Sequence, residues 1–398
     1  MAGELDHNNR DGIIGEHTRS CYSLGHFISR LRSLEISAAA ACLLVIGLCC
    51  LLLSVISLYS SSISPWFLPP PPGSFSPATP PNPEDTKMQQ QREISEDPEL
   101  IKVLNRAKMT TTAVGEGRLP PSEMVILTTI NRAWAEPGSL LDLFLESFWN
   151  GDGTKELLRH LVIVSLDHKA HQYCQAVHPH CYALTTPGVN FTGNAATSKS
   201  EEYMRVVWLR TEFYTSVLNL GIDFLFTDAD IVWLRNPFPH LHEQVDFQAA
   251  CDYYSGDDSD LRHIINTGFI FVRSNDRTRR FYKFWYDSRD RFPGVKEQDV
   301  LNSIKFEPFL NDIGLQIKLL DTDHFGGICQ PIKDLKVGCT MHAICCIGLE
   351  SKIQALTVIL QDWKRFSSAP AESRLNLSTS FAWKPHRTGC WYVYARYL

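Results

Sequence analysis

Asp228 and Asp230, separated by one alanine, follow the apolar stretch Ile222-Asp223-Phe224-Leu225-Phe226 and precede Ile231-Val232-Trp233-Leu234. An Asp-x-Asp turn presents both carboxylates on one side of the chain, able to hold a hard divalent cation directly or through water. A cation held there can neutralise a diphosphate and stabilise it as a leaving group. Two other triplets of this kind occur, Asp258-Ser259-Asp260 and Asp321-Thr322-Asp323. The first, with Asp257, lies in a Ser/Gly/Asp-rich stretch and reads as a solvated loop. The second follows a strand-like run and is a rival pair. Apolar flanks favour Asp228 and Asp230, because carboxylates pinned between apolar runs need a partner to offset their desolvation.

The elements that must position this pair follow from periodicity. Residues 124–130 read as a buried strand ending in the polar Thr128, Thr129 and Asn131, residues 137–149 as a helix, and residues 161–166 as a second buried strand. A short third strand is expected at 181–184, and a loop at 185–200. Residues 202–220 form the clearest helix, with Val206, Phe213, Val217 and Leu220 on one face and Gly221 as its C-terminal cap. That helix hands the chain to the strand ending at Asp228. Further strands are expected at 247–254, 266–272 and 315–320, and helices at 277–286 and 298–304. This alternation implies an α/β domain over 123–398, its mostly parallel central sheet covered by helices on both faces. Ligands of such sheets sit at the carboxyl ends of the strands, where the aspartates stand.

The chain has 398 residues, 44% hydrophobic and 21% charged, enough to bury a sizeable core. Its formal charge of −6 argues against a nucleic-acid partner. Residues 36–59 contain no charged side chain and are long enough to span a bilayer. Arg30 and Arg32 precede them and no Lys or Arg follows until Lys87, so residues 1–35 are expected in the cytosol and the rest in the lumen. Residues 60–122 read as a stem, rich in proline at its start. Eight of the 12 cysteines follow the membrane segment, in an oxidising compartment under this topology. Cys174 with Cys181 and Cys329 with Cys339 are the expected disulfides. A zinc site from Cys345, Cys346 and His342 lacks the usual ligand spacing. Asn190-Phe191-Thr192 and Asn376-Leu377-Ser378 are glycosylation sequons.

The ordered series FTDADIVWLRNPF, CQAVHPHCYAL, NTGFIFVRSN, EQDVLN, FGGICQP and CTMHAICCIGLE resembles the plant nucleotide-diphospho-sugar transferases of glycosyltransferase family 77. The resemblance implies a GT-A-like fold, a Golgi type II membrane protein, a nucleotide-sugar donor, a divalent metal such as Mn2+, and transfer with retention of configuration. Donors with pentose or galactose and cell-wall polysaccharide or glycoprotein acceptors are implied; oligomeric state is not. By the same resemblance Asp228 and Asp230 correspond to the metal-binding pair, with Asp230 as the direct ligand. Thr128, Thr129 and Asn131 lie where the nucleoside is received, and Lys199 and Arg210 where donor phosphate or base is met. Gln298 and Asp299 fall near the reacting sugar. His342 is the expected third metal ligand, ahead of His324 and His386. A covalent intermediate on Asp252 or Asp299 stays open. Two other functions share parts of this pattern: a catalytically inactive lumenal scaffold, disfavoured by the retained carboxylates, and an aspartate-nucleophile phosphatase. The phosphatase pattern should open its domain, whereas Asp228 comes after at least two strands.

Overall fold

The computed structural model describes residues 94–110, 123–184, 201–380 and Cys390. The expected anchor, most of the stem, Lys199, His386 and the sequon at Asn190 lie outside the described residues. Among those described, no helix is long and apolar enough to cross a membrane.

Among the described residues the first element is α1 (Pro98–Ala107), whose Asp97 side chain accepts from the Glu99 backbone N–H at 2.9 Å and whose first residue is proline, both favourable at a helix start. Leu100, Leu104 and Ala107 are buried in the main core. β1 (Met109–Thr110) then pairs antiparallel with β2 (Glu123–Ile130). The boundary expected at residue 122 therefore shifts: residues assigned to the stem carry an i, i+4 apolar stripe that the folded unit buries.

The chain continues through α2 (Leu140–Asn150), β3 (Leu161–Ser165), α3 (His168–Val177), β4 (Cys181–Ala183), α4 (Glu201–Asn219) and β5 (Asp223–Thr227). β4, β3, β2 and β5 run parallel to one another, as helical crossovers require. Gly221 has a φ of +78°, the left-handed conformation that ends a helix most easily when the residue lacks a Cβ. Beyond it come β6 (Ile231–Trp233), β7 (Phe247–Cys251), β8 (Ile265–Val272), α5 (Asp276–Ser288), α6 (Glu297–Ile304), α7 (Pro308–Asp312), β9 (Ile317–Leu319), β10 (Phe325–Gly327), β11 (Thr340–His342), α8 (Leu349–Ser368) and α9 (Ala371–Leu377).

The large sheet runs β4-β3-β2-β5-β8-β7-β9, with β1 on β2; a second sheet runs β10-β11-β6. The large sheet is mixed. β8 is antiparallel to both β5 and β7, because a loop rather than a crossover helix joins β7 to β8. Its two faces are sorted by the strand period of two: Val125, Leu127, Phe224 and Phe226 enter one core with α1, α4, α5 and α6. Met124, Ile126 and Leu225 enter the other with α2 and α3. A third cluster joins the small sheet to α8.

Cys174 and Cys181 are bonded, whereas Cys329 bonds Cys345 and Cys346 bonds Cys390. The expected Cys329–Cys339 pair is thus wrong. β10 and β11 are parallel, with Gly327 opposite His342, so the residues just past their ends, Cys329 and Cys345, emerge together with Cα atoms 5.8 Å apart. Cys339 sits at the opposite end of β11, buried and free like Cys251. With Cys345 and Cys346 both oxidised, neither sulfur offers zinc a thiolate.

Asp246 closes the far side of the large sheet. It accepts from Arg277 at 2.8 and 2.7 Å, from the Asn275 amide at 2.7 Å and from the Gln316 N–H at 2.9 Å, tying β7 to the start of α5 and to β9. Burial alone would raise its carboxyl, but these bonds hold it below the ordinary value of 3.8. A depressed folded value stabilises the fold above the unfolded value, and that stability is lost as pH falls through the folded one. Asp246→Ala should cost about 1.5–3 kcal/mol in denaturant unfolding at pH 7, because it removes the hydrogen bonds that a buried, charged carboxylate accepts, and the deficit should shrink below pH 4, the acid limb set by the 3.8 reference. Peptide mapping after alkylation of the unreduced, denatured protein should find Cys251 and Cys339 alkylated and Cys329 joined to Cys345. A Cys329–Cys339 peptide would contradict the arrangement of β10 and β11.

Candidate metal centre

At the end of β5 the chain leaves one sheet for the other, and the Asp-Ala-Asp turn is the crossing. The Asp228 N–H donates to Gly268 O of β8 at 2.7 Å, and the Ile231 N–H donates back to Asp228 O at 3.2 Å. Asp230 O accepts from the Ala343 N–H at 2.9 Å. β6 and β11 are antiparallel with Ile231 opposite His342, so backbone register brings the imidazole to the aspartates. Candidate ligand atoms of Asp228, Asp230 and His342 lie within 4.8 Å of one another. His342 Nε2 is 3.2 Å from Asp230 Oδ1 and 3.9 Å from Asp228 Oδ2.

Two observations test whether a cation fits. Asp230 Oδ1 is buried and accepts no hydrogen bond, an expense that an ion would relieve. Gly268 faces the cluster without a side chain: a Cβ there would come 2.5 Å from His342 Cε1, 2.6 Å from Asp228 Oδ2 and 2.9 Å from Asn266 Oδ1. Two carboxylates and one imidazole suit a divalent ion such as manganese. The residues fit.

Protein cations hold the remaining carboxylate oxygens. Arg210, on α4, donates to Asp228 Oδ1 at 2.8 Å and to Glu297 Oε1 at 3.1 Å, with its guanidinium 5.1 Å from the Phe226 ring centroid. Lys352, on the first turn of α8, contacts Asp230 Oδ2. Burial pushes both carboxyls up. For Asp230, Lys352 and His342 override burial and hold it well below the usual range; for Asp228 burial prevails over Arg210, helped by the neighbouring Asp230 charge, and its carboxyl stays raised.

The residues around Gly268 extend the site. Asn266 accepts the Gly268 N–H at 2.8 Å and donates to Asp252 Oδ1 at 2.8 Å. These bonds fix the amide's orientation and link Asp252 to the strand under the metal centre. Burial raises the Asp252 carboxyl, against the lowering effect of that hydrogen bond. Gln298 Oε1 accepts from the Thr267 N–H at 3.1 Å, and Glu297 Oε1 from the Thr267 hydroxyl at 3.1 Å.

The expected site residues thus fall into three places. Asp228, Asp230 and His342 form the cluster, with Arg210 bonded to it and Asp252 and Gln298 connected through β8. Thr128 and Thr129 are buried on β2, next to β5 in the sheet. Asn131, just beyond, caps a turn by accepting from the Trp134 N–H at 3.3 Å. Asp299 stays apart: its side chain is 55% exposed and lies 3.5 Å from Lys296. His324 packs on the His240 ring, centroids 4.0 Å apart. The other acidic triplets are neutralised locally, Asp258 by Lys318, Asp260 by Arg262 and Asp323 by Lys333. Sequence reasoning missed Glu297, Asn266, Gly268 and Lys352. A lone glycine inside the strand pattern NTGFIFV was the available signal for Gly268, since it marks close approach of another group. Nothing local singles out Lys352, which is 122 residues from Asp230.

The profile of the nucleotide-diphospho-sugar transferase family matches residues 156–356, which include Asp228, Asp230 and His342. An uncharacterized Arabidopsis thaliana protein is 49% identical over 246 residues, 62% of this chain and 65% of that protein. A second is 36% identical over 285 residues, 70% of this chain and 81% of that protein. A Dictyostelium discoideum UDP-galactose:fucoside alpha-3-galactosyltransferase is 37% identical over 108 residues, 26% of this chain and 15% of that enzyme. The profile covers half of the chain, and the second Arabidopsis relative is matched over most of its length. The chain belongs to the nucleotide-diphospho-sugar transferase family, whose members are nucleotide-sugar-dependent glycosyltransferases.

Proposed function

We propose that the protein is a metal-dependent glycosyltransferase of GT-A type. It would move a sugar from a nucleotide-sugar, with pentose or galactose as the sugar, to a hydroxyl of a polysaccharide or glycoprotein. The observation that carries this reading is the convergence of Asp228, Asp230 and His342 at the carboxyl end of β5. The galactosyl relative supports galactose as one donor sugar to test.

In this reading Asp228, Asp230 and His342 hold a divalent ion, which when bound supplies positive charge to the departing diphosphate. Arg210 and Lys352 keep the two aspartates oriented. Glu297 and Gln298, tied to Thr267, and Asp252, tied to Asn266, border the place of the reacting sugar. There, carboxylate and amide groups stabilise positive charge developing on its anomeric carbon. Retention of configuration places the acceptor hydroxyl on the same face as the leaving group, and the half-buried Asp252, its carboxyl raised, is suited to receive its proton.

A lumenal Golgi location with an N-terminal anchor at residues 36–59 completes the proposal. It is supported by the disulfides among the described residues, which persist in oxidising compartments. The exposed Asn376 of the sequon at the end of α9 agrees with it.

Screening the full chain against a panel of nucleotide-sugars with Mn2+ should reveal hydrolysis of one donor, with no acceptor required. Asp230→Asn should reduce that hydrolysis by about 100-fold or more, in keeping with the loss of an electrostatic group at a leaving phosphate. Full activity of that variant would remove the metal assignment. Gly268→Ala should leave the circular dichroism spectrum unchanged, since alanine suits a strand at least as well as glycine. Its Cβ would crowd His342 and Asp228, so Mn2+ binding in calorimetry should be lost. Normal binding would show that the cluster is not the ion's place.

A further inference from the structure

Each carboxylate of the cluster divides its two oxygens in the same way. Asp228 gives Oδ1 to Arg210 at 2.8 Å and turns Oδ2 toward His342 at 3.9 Å. Asp230 gives Oδ2 to Lys352 and turns Oδ1, which accepts no hydrogen bond, toward His342 at 3.2 Å. The Lys352 side chain is 20% exposed and that of Asp230 is 2% exposed, so this contact is shielded from the solvent that weakens surface pairs. The ammonium also donates to Ala343 O at 3.2 Å, on the residue that follows His342.

We propose that Lys352 is the resident counter-charge of the metal centre. It holds the cluster assembled before a cation arrives, and it lowers the affinity with which the cation is then held. The proposal rests on the reading of Asp228, Asp230 and His342 as metal ligands.

The argument is electrostatic. Leaving His342 aside, Asp228, Asp230, Glu297, Arg210 and Lys352 sum to −1 formal charge, and without Lys352 the sum is −2. A divalent ion is drawn more strongly to the second state, because charges a few ångströms apart in a shielded site interact by several kcal/mol even at an effective dielectric constant of about 20. The opposing effect, loss of order in Asp230, is small here because the backbone places that residue. Asp230 O is bonded to Ala343 N–H, and the β6–β11 register fixes His342 opposite Ile231. In the metal-free protein the consequence reverses: removing Lys352 leaves a buried carboxylate facing Asp228, which destabilises the fold.

The test compares the full chain with Lys352→Met, which keeps length and removes charge, and with Lys352→Gln, which can still donate to Ala343 O. Calorimetric titration with Mn2+ at pH 7.5 and thermal unfolding with and without Mn2+ are measured for each. Either variant should bind Mn2+ about tenfold more tightly than the unaltered chain, melt at lower temperature without metal, and regain most of the difference at saturating Mn2+. Unchanged or weaker binding in the variants, with normal binding by the unaltered chain, overturns the role of Lys352 and leaves the metal site standing. No Mn2+ binding by the unaltered chain overturns both.

Discussion

Two carboxylates lie side by side where the large sheet ends, one of them 2% exposed, and an arrangement of that kind is unstable unless positive charge is brought to it. Two cations and an imidazole reach the pair from three separate parts of the chain. α4 supplies Arg210, β11 supplies His342 and α8 supplies Lys352, at separations of 18 and 122 residues for the two hydrogen-bonded cations. Each of those elements must dock correctly for the aspartates to be tolerated. The centre is consequently a folding constraint as well as a site.

The position of the turn between the two sheets explains why the demand can be met. β5 is central in the large sheet, parallel to β2 and antiparallel to β8, and its last residue leads within four positions to β6 of the small sheet. Trp233 secures the crossing. It is fully buried, its N–H donates to Ser147 Oγ at 2.9 Å, its indole donates to Thr227 Oγ1 at 3.3 Å, and its ring stacks on Phe148 at 4.4 Å. The small sheet carries His342 and continues into the loop held by Cys345 and Cys346, after which α8 begins. Two disulfides thus flank the few residues between one candidate ligand and the lysine that faces another.

Local patterns were sufficient for the elements that carry strong periodicity. The helix ending before Gly221, the strand ending at Asp228 and the βαβ unit before them stand close to where the sequence places them, because a glycine cap and alternating burial are short-range properties. The sheet's mixed character was not legible, since a strand such as β8 has the same apolar pattern whichever way it runs. α1 was hidden by its polar neighbours, although Leu100, Leu104 and Ala107 bear the spacing of a buried face. Cysteine pairing failed for Cys329 because sequence distance favours Cys339, whereas parallel strands bring their ends together and put Cys345 alongside. At the site, the acidic pair was legible from its apolar flanks and His342 only through the family resemblance. Lys352 and Glu297 depend on tertiary contacts that no window of sequence contains.

The two aspartates are unlike in a way that bears on their division of labour. Asp228 is 21% exposed at its side chain, shares Arg210 with Glu297 and keeps a raised carboxyl. Asp230 is deeper, has Lys352 to itself and is held strongly ionised. A permanently ionised, rigidly placed carboxylate is the better anchor for an ion that must stay, whereas a partly exposed one with a shared cation can yield as the ion's other partners change. In the proposed transferase those partners would include the donor's diphosphate, which leaves at each turnover. With a divalent ion held there as proposed, the asymmetry would give Asp230 the role of fixed ligand and Asp228 that of the adjustable one, and it arises from which cation each strand end meets rather than from the Asp-x-Asp triplet itself.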